Sequence, residues 1–183
     1  MDEQSPETNQ KPVPGQEQVI QQLQRSHEQL QQILHSVSTE QIQNAKLTDT
    51  WTTKDIIAHL AVWNWEMINE IQRILEDGAT WDDYFVDEEK RNEFDINLVA
   101  ERAGHSLDDV IKEWENSFQT LILTIQHLDG EQWQHQSSDS TWSSGHLEGQ
   151  PITVYSLFDR ISQGETHEAM HTRQIAEHFG VQI

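Results

Sequence analysis

The sequence predicts an all-α protein built as a four-helix bundle, with long loops between helices two and three and between helices three and four. Three observations carry that expectation. Four stretches repeat apolar residues at three- and four-residue spacing, the signature of helices that bury one face. No stretch alternates apolar and polar residues convincingly enough to mark a strand, and no Gly-rich phosphate loop is present. The chain has 183 residues, 34% hydrophobic and including seven Trp, enough for one ordinary domain with a core of its own.

Residues 1–15 hold Pro6, Pro12, Pro14 and Gly15 without apolar periodicity and read as a flexible tail; residues 16–183 read as a single domain. Helix one runs from Gln16 to Ser36 along Val19, Ile20, Leu23, Leu30, Ile33 and Leu34. Helix two starts near Thr53, where Thr52 and Asp55 form a capping pair, and stops at Asp77-Gly78. Its apolar positions, from Ile56 through Leu75, cover more than one stripe, which places it centrally. Helix three begins at an N-cap on Ser106 with Asp109 as partner and reaches Leu128. The last helix is expected to span Ile152 to Phe179, closed by Gly180. Residues 76–101 contain ten acidic and two basic side chains, yet Trp81, Tyr84, Phe85 and Phe94 suggest that part of the segment packs as a shorter helix. Residues 129–151, rich in Ser, Gly, Gln and Asp, read as a long loop of the kind that often serves as a lid or binding element.

Charge and composition exclude several functions. With 11 Lys+Arg against 32 Asp+Glu the formal net charge is −21, which repels nucleic acid and anionic membrane surfaces. No apolar run approaches the roughly 20 residues of a spanning helix, and the N-terminus lacks the basic and apolar regions of a signal peptide. The absence of Cys fits a cytoplasmic protein and removes thiolates as nucleophiles or metal ligands, so a transition-metal site has to be built from His, Asp and Glu.

Ten His are scattered along the chain. His167 and His171 form an H-x3-H pair, which sets two imidazoles on one helical face, a spacing suited to two ligands of one ion. The spacing alone is weak, since chance gives about 0.5 such pairs in a chain with this His content. Its setting is more informative: His171 lies only about 40° around the helix from Ile175, so the pair looks toward the interior. His59 shares a face with Ile56, Leu60, Trp63 and Met67 and points the same way. A lone His on such a face is more often a satisfied core residue, but with an H-x3-H opposite it, three imidazoles can converge on one ion and leave a position open. Glu66, Glu70 and Glu168 are placed either to orient an imidazole or to act as a base; as solvated or paired carboxylates they would do neither. His27, His35, His105, His127, His135 and His146 read as surface residues.

The segment Thr50-Trp51-Thr52-Thr53-Lys54-Asp55-Ile56-Ile57-Ala58-His59-Leu60-Ala61-Val62-Trp63 resembles a motif of the DinB/YfiT-like superfamily, and His167-Glu168-Ala169-Met170-His171-Thr172-Arg173-Gln174-Ile175 is similar to the same superfamily's H-x3-H-x2-Q segment. The resemblance implies a four-helix bundle, commonly a homodimer, holding zinc or nickel on three His. The matching positions are His59, His167 and His171. It also implies a small-molecule substrate and either hydrolysis or transfer of a low-molecular-weight thiol such as mycothiol, bacillithiol or glutathione. The acidic segment 76–101 and the loop 129–151 depart from the compact family pattern. Two readings follow: a metal-dependent hydrolase or thiol transferase, with Glu66 or Glu168 handling protons, or a non-catalytic stress-response bundle that binds or sequesters a ligand.

Overall fold

A computed structural model describes residues 15–81, 88–143, 145–161 and 166–182. The tail expected over 1–15 lies almost wholly outside them. Eight helices and two short strands occur among the described residues, in the order α1 (Gln16–Ser36), α2 (Thr39–Asn44), α3 (Thr53–Leu75), α4 (Glu88–Glu101), α5 (Leu107–His127), α6 (Gly130–Trp133), β1 (Gln136–Thr141), β2 (Pro151–Thr153), α7 (Val154–Ile161) and α8 (His167–Phe179). The bundle is formed by α1, α3, α5 and α8; α3 packs chiefly on α5 and α1 on α8.

The helix starts follow from their caps. Thr52 Oγ1 accepts from the Asp55 amide while the Asp55 carboxylate accepts from the Thr52 amide, so two orphan donors of α3 are satisfied together. Ser106 caps α5 through the Asp109 amide, and Thr166 caps α8 through the Ala169 amide. At the far end of α8, Gly180 adopts φ 65°, the left-handed conformation that closes a helix most cheaply with glycine.

Two apolar clusters fill the bundle. One gathers Leu30, Ile33, Ile57, Leu60, Val110, Trp114 and Ile175; the other gathers Met67, Ile71, Ile74, Leu121, Ile125, Trp133, Trp142 and Phe158. His59, His167 and His171 are carried by α3 and α8, the two helices that bring the family-like motifs face to face.

Three expectations need correction. The last helix is not continuous from Ile152: Ile152 belongs to β2, and the helical stretch is divided into α7 and α8. Thr166 is extended at φ −71°, ψ 157° and uses its hydroxyl to cap a fresh helix, so α8 begins at His167. The 129–151 segment is not simply a loop. It holds α6 and then β1, which pairs antiparallel with β2 in an irregular register between Gln136↔Thr153 and Thr141↔Pro151. The strand escaped the period-2 test because its sequence, Gln-Ser-Ser-Asp-Ser-Thr, has no apolar residue to alternate. The third correction concerns His27, which is 3% exposed and not a surface residue. The acidic segment does contain the shorter helix expected of it, α4. No helix among the described residues is long and apolar enough to cross a membrane.

Candidate metal centre

The Nε2 atoms of His59 and His171 each lie 3.1 Å from Nε2 of His167, and the three candidate ligand atoms all fall within 4.8 Å of one another. Two imidazole nitrogens held at 2.0–2.1 Å by one tetrahedral ion lie roughly 3.3 Å apart. The spacing therefore matches that of ligands around an ion.

The far nitrogens of two rings explain why the near ones converge. His171 Nδ1 is 3.0 Å from Gln174 Oε1, one turn along α8. His59 Nδ1 is 3.4 Å from the Asp95 carboxylate, which also accepts a 2.7 Å hydrogen bond from Trp63 Nε1. Neither oxygen has a proton to give, so each Nδ1 carries the hydrogen and each Nε2 presents its lone pair. His167 Nε2 holds at most one proton and can donate it to one of the two. The other bare Nε2, also 3.1 Å away, then receives no hydrogen from His167 and keeps an unsatisfied lone pair, which a cation would relieve. The donor set fits a divalent metal; neutral imidazoles accommodate zinc and nickel among others.

Two of the imidazoles are poor proton acceptors here. Burial lowers the His167 pKa well below the ordinary histidine value, and the nearby His171 and His59 add to the shift. Burial likewise brings His171 down to about 4, against the opposing effect of its hydrogen bond to Gln174 Oε1. Both are therefore neutral at pH 7, as metal ligands must be.

The three His form part of the wall of a cavity of about 690 Å³. Trp51, Trp63, Trp81, Trp142 and Phe158 give it aromatic walls, while Asp95, Glu168 and Arg91 supply charge. Both segments that depart from the compact pattern contribute: Trp81, Arg91 and Asp95 come from 76–101, and Trp142 from 129–151.

The two candidate carboxylates are placed very differently. Glu168 is 6% exposed and lines the cavity; its Oε1 accepts from Trp114 Nε1 at 2.8 Å and lies 3.1 Å from His27 Nδ1. Burial pushes its pKa up, with the His27 and Trp114 hydrogen bonds opposing. His27 bridges onward to Glu115 at 3.1 Å and stacks on Phe118 at 3.7 Å. Burial lowers the His27 pKa, but its contacts with Glu168 and Glu115 outweigh that and raise it. Glu66 lies away from the cavity lining: it accepts from the Arg73 guanidinium and from Trp81 Nε1 at 3.3 Å. Glu70, wholly buried, accepts from the same Arg73 and from the Trp81 amide at 2.8 Å. These two carboxylates anchor Trp81 rather than face the imidazoles.

Sequence reasoning missed Asp95 and His27. The signal for His27 was present, because it follows Leu23 by four residues and precedes Leu30 by three, on the apolar face of α1. Nothing local marks Asp95, whose partner is 36 positions earlier on another helix.

Fold and site together define a helical bundle with a candidate three-His metal centre in the wall of a cavity. The chain belongs to the DinB superfamily, whose family model matches residues 22–175. The chain is also similar to the crystal structure of a mycothiol-dependent maleylpyruvate isomerase, with a TM-score of 0.59 and 18% identity, covering 89% of this chain and 58% of that one. It thus spans little more than half the length of that protein, and the likeness is one of fold. No curated protein matches the sequence.

Proposed function

We propose that this protein is a metal-dependent enzyme that uses His59, His167 and His171 to hold a divalent ion, zinc or nickel, and activates water or a low-molecular-weight thiol against a small organic substrate. The observation that carries the reading is the convergence of three Nε2 atoms at the wall of a cavity large enough for such a substrate. A structural ion is closed off by four protein ligands; among the described residues three converge here, which would leave room for a ligand from the cavity.

When bound, the ion supplies a Lewis acid that makes a water or thiol deprotonate near neutral pH. The chain's own residues provide the rest. The apolar and indole walls hold the organic body of the substrate and keep bulk water away from it. Glu168, fixed through one oxygen by Trp114 and His27, is the carboxylate positioned to take up or return a proton at the cavity. With no Cys in the chain, a thiol nucleophile has to arrive as a cosubstrate. The mycothiol dependence of the structurally similar isomerase supports testing thiols first.

The experiment is a turnover screen of zinc- and nickel-loaded protein, pairing small thiols with electrophiles and, separately, esters and amides in water. Turnover present in the wild type and abolished in His59→Ala supports the proposal. Turnover equal in both, or none in a metal-loaded wild type across the panel, contradicts it and favours a bundle that only binds its ligand.

A further inference from the structure

We infer that Asp95 is a positioning residue for the metal centre, and that through it the docking of α4 is coupled to metal occupancy. The inference rests on the metal reading above and goes beyond it to a residue outside the bundle. Little apolar surface holds α4 in place: among its described residues only Val99 is buried, while Ile96 is 58% exposed. Phe94 meets the Trp63 ring edge-on at 5.9 Å, and polar contacts add to the attachment. Arg102, just past its end, grips Glu113 of α5 at 2.7 Å. In its middle, Asp95 Oδ1 receives the Trp63 indole at 2.7 Å and stands 3.4 Å from His59 Nδ1.

The second contact has a consequence for the site. The carboxylate accepts only, so it selects the His59 tautomer with hydrogen on Nδ1 and leaves Nε2 bare toward His167 and His171. At 3.4 Å the pair is longer than an ordinary hydrogen bond. Coordination at Nε2 would withdraw electron density from the ring and make Nδ1–H a stronger donor, which draws Asp95 in. By reciprocity, whatever metal binding contributes to holding Asp95, Asp95 contributes to holding metal. Since Arg91, one turn before Asp95, also lines the cavity, a metal that tightens Asp95 tightens one wall of the substrate chamber.

The test uses the full chain, zinc as the probe, and a chromophoric chelator as competitor. Asp95→Ala is expected to weaken zinc binding about 10- to 100-fold. Asp95→Asn, which keeps an acceptor for Trp63 but not the charge, is expected to fall between that and wild type. Hydrogen exchange supplies a second readout: zinc should slow exchange across 88–101 in the wild type and do so less in Asp95→Ala. Far-UV circular dichroism of the metal-free proteins checks folding; if Asp95→Ala does not fold, the Asn variant decides the matter alone. Zinc affinity within twofold of wild type in the folded variants, or zinc-insensitive exchange in α4, overturns the inference while leaving the metal reading intact. A wild type that takes up no zinc overturns both.

Discussion

Glu168 shows how much one side chain is asked to do. It sits beside a candidate metal ligand, lines the cavity, and satisfies two buried donors, Trp114 Nε1 and His27 Nδ1. Removing it leaves both donors unpaired in the interior, so Glu168→Ala should cost about 3 kcal/mol or more. Glu168→Gln keeps an acceptor for both and should cost about 1 kcal/mol, which urea denaturation of the two variants can check. If Glu168 also moves a proton, the Gln variant loses turnover while staying folded. The imidazoles give a pH dependence of known sign. His171 titrates near 4 when folded and near the ordinary 6.5 when unfolded, so between those values the unfolded chain binds more protons. The stability contributed by its neutral form is complete above about 6.5 and is lost as pH falls toward 4. His167 acts in the same direction, whereas His27, raised in the fold, adds stability on the acid side that is lost as pH rises. Metal-free protein should therefore show a urea midpoint that drops below about pH 6.5, and His171→Leu should flatten that drop. An unchanged slope in the variant would contradict the assignment.

At the scale of elements, the Thr166 cap and the metal pair are one construction. Thr166 Oγ1 accepts from the Ala169 amide and donates to Ser26 Oγ at 2.6 Å, fixing where α8 starts and how it meets α1. His167 is the first residue of that helix, so Thr166→Ala should cost about 1 kcal/mol and also weaken zinc binding, whereas Thr166→Ser should retain both. The start of α8 is not visible in the sequence, where the apolar positions Val154, Phe158, Ile161, Ile175 and Phe179 fit one continuous stripe. The starts of α1, α3 and α5 were visible because a stripe and a cap or turn residue agree there. β1 was hidden for the opposite reason: it is polar throughout and is held by backbone pairing and by Asp77, whose carboxylate accepts from the Ser138 amide at 2.9 Å. Its neighbour Trp142 is buried with its indole donating to Ser156 at 3.0 Å. The three His were legible because helical periodicity places them on inward faces. Asp95 was not, because its role depends on how α4 lies across α3, which only the tertiary structure decides.

For the whole molecule, a net charge of −21 on 183 residues means that the folded state repels itself. Screening should relieve this: the urea midpoint is expected to rise between 0.02 and 0.5 M KCl, where the Debye length shrinks from roughly 20 Å to about 4 Å. Insensitivity to salt would mean that ion pairs such as Arg102–Glu113 offset the repulsion locally. The same charge draws divalent cations toward the molecule without choosing among them; selection falls to the three imidazoles. The central claim is that these three residues form one metal site, and the direct measurement is metal content by mass spectrometry on tag-free protein, with His59→Ala prepared alongside. About one equivalent of zinc or nickel per chain in the wild type, lost in the variant, is the predicted result. A folded wild type that carries no metal and takes up neither zinc nor nickel on titration would contradict it.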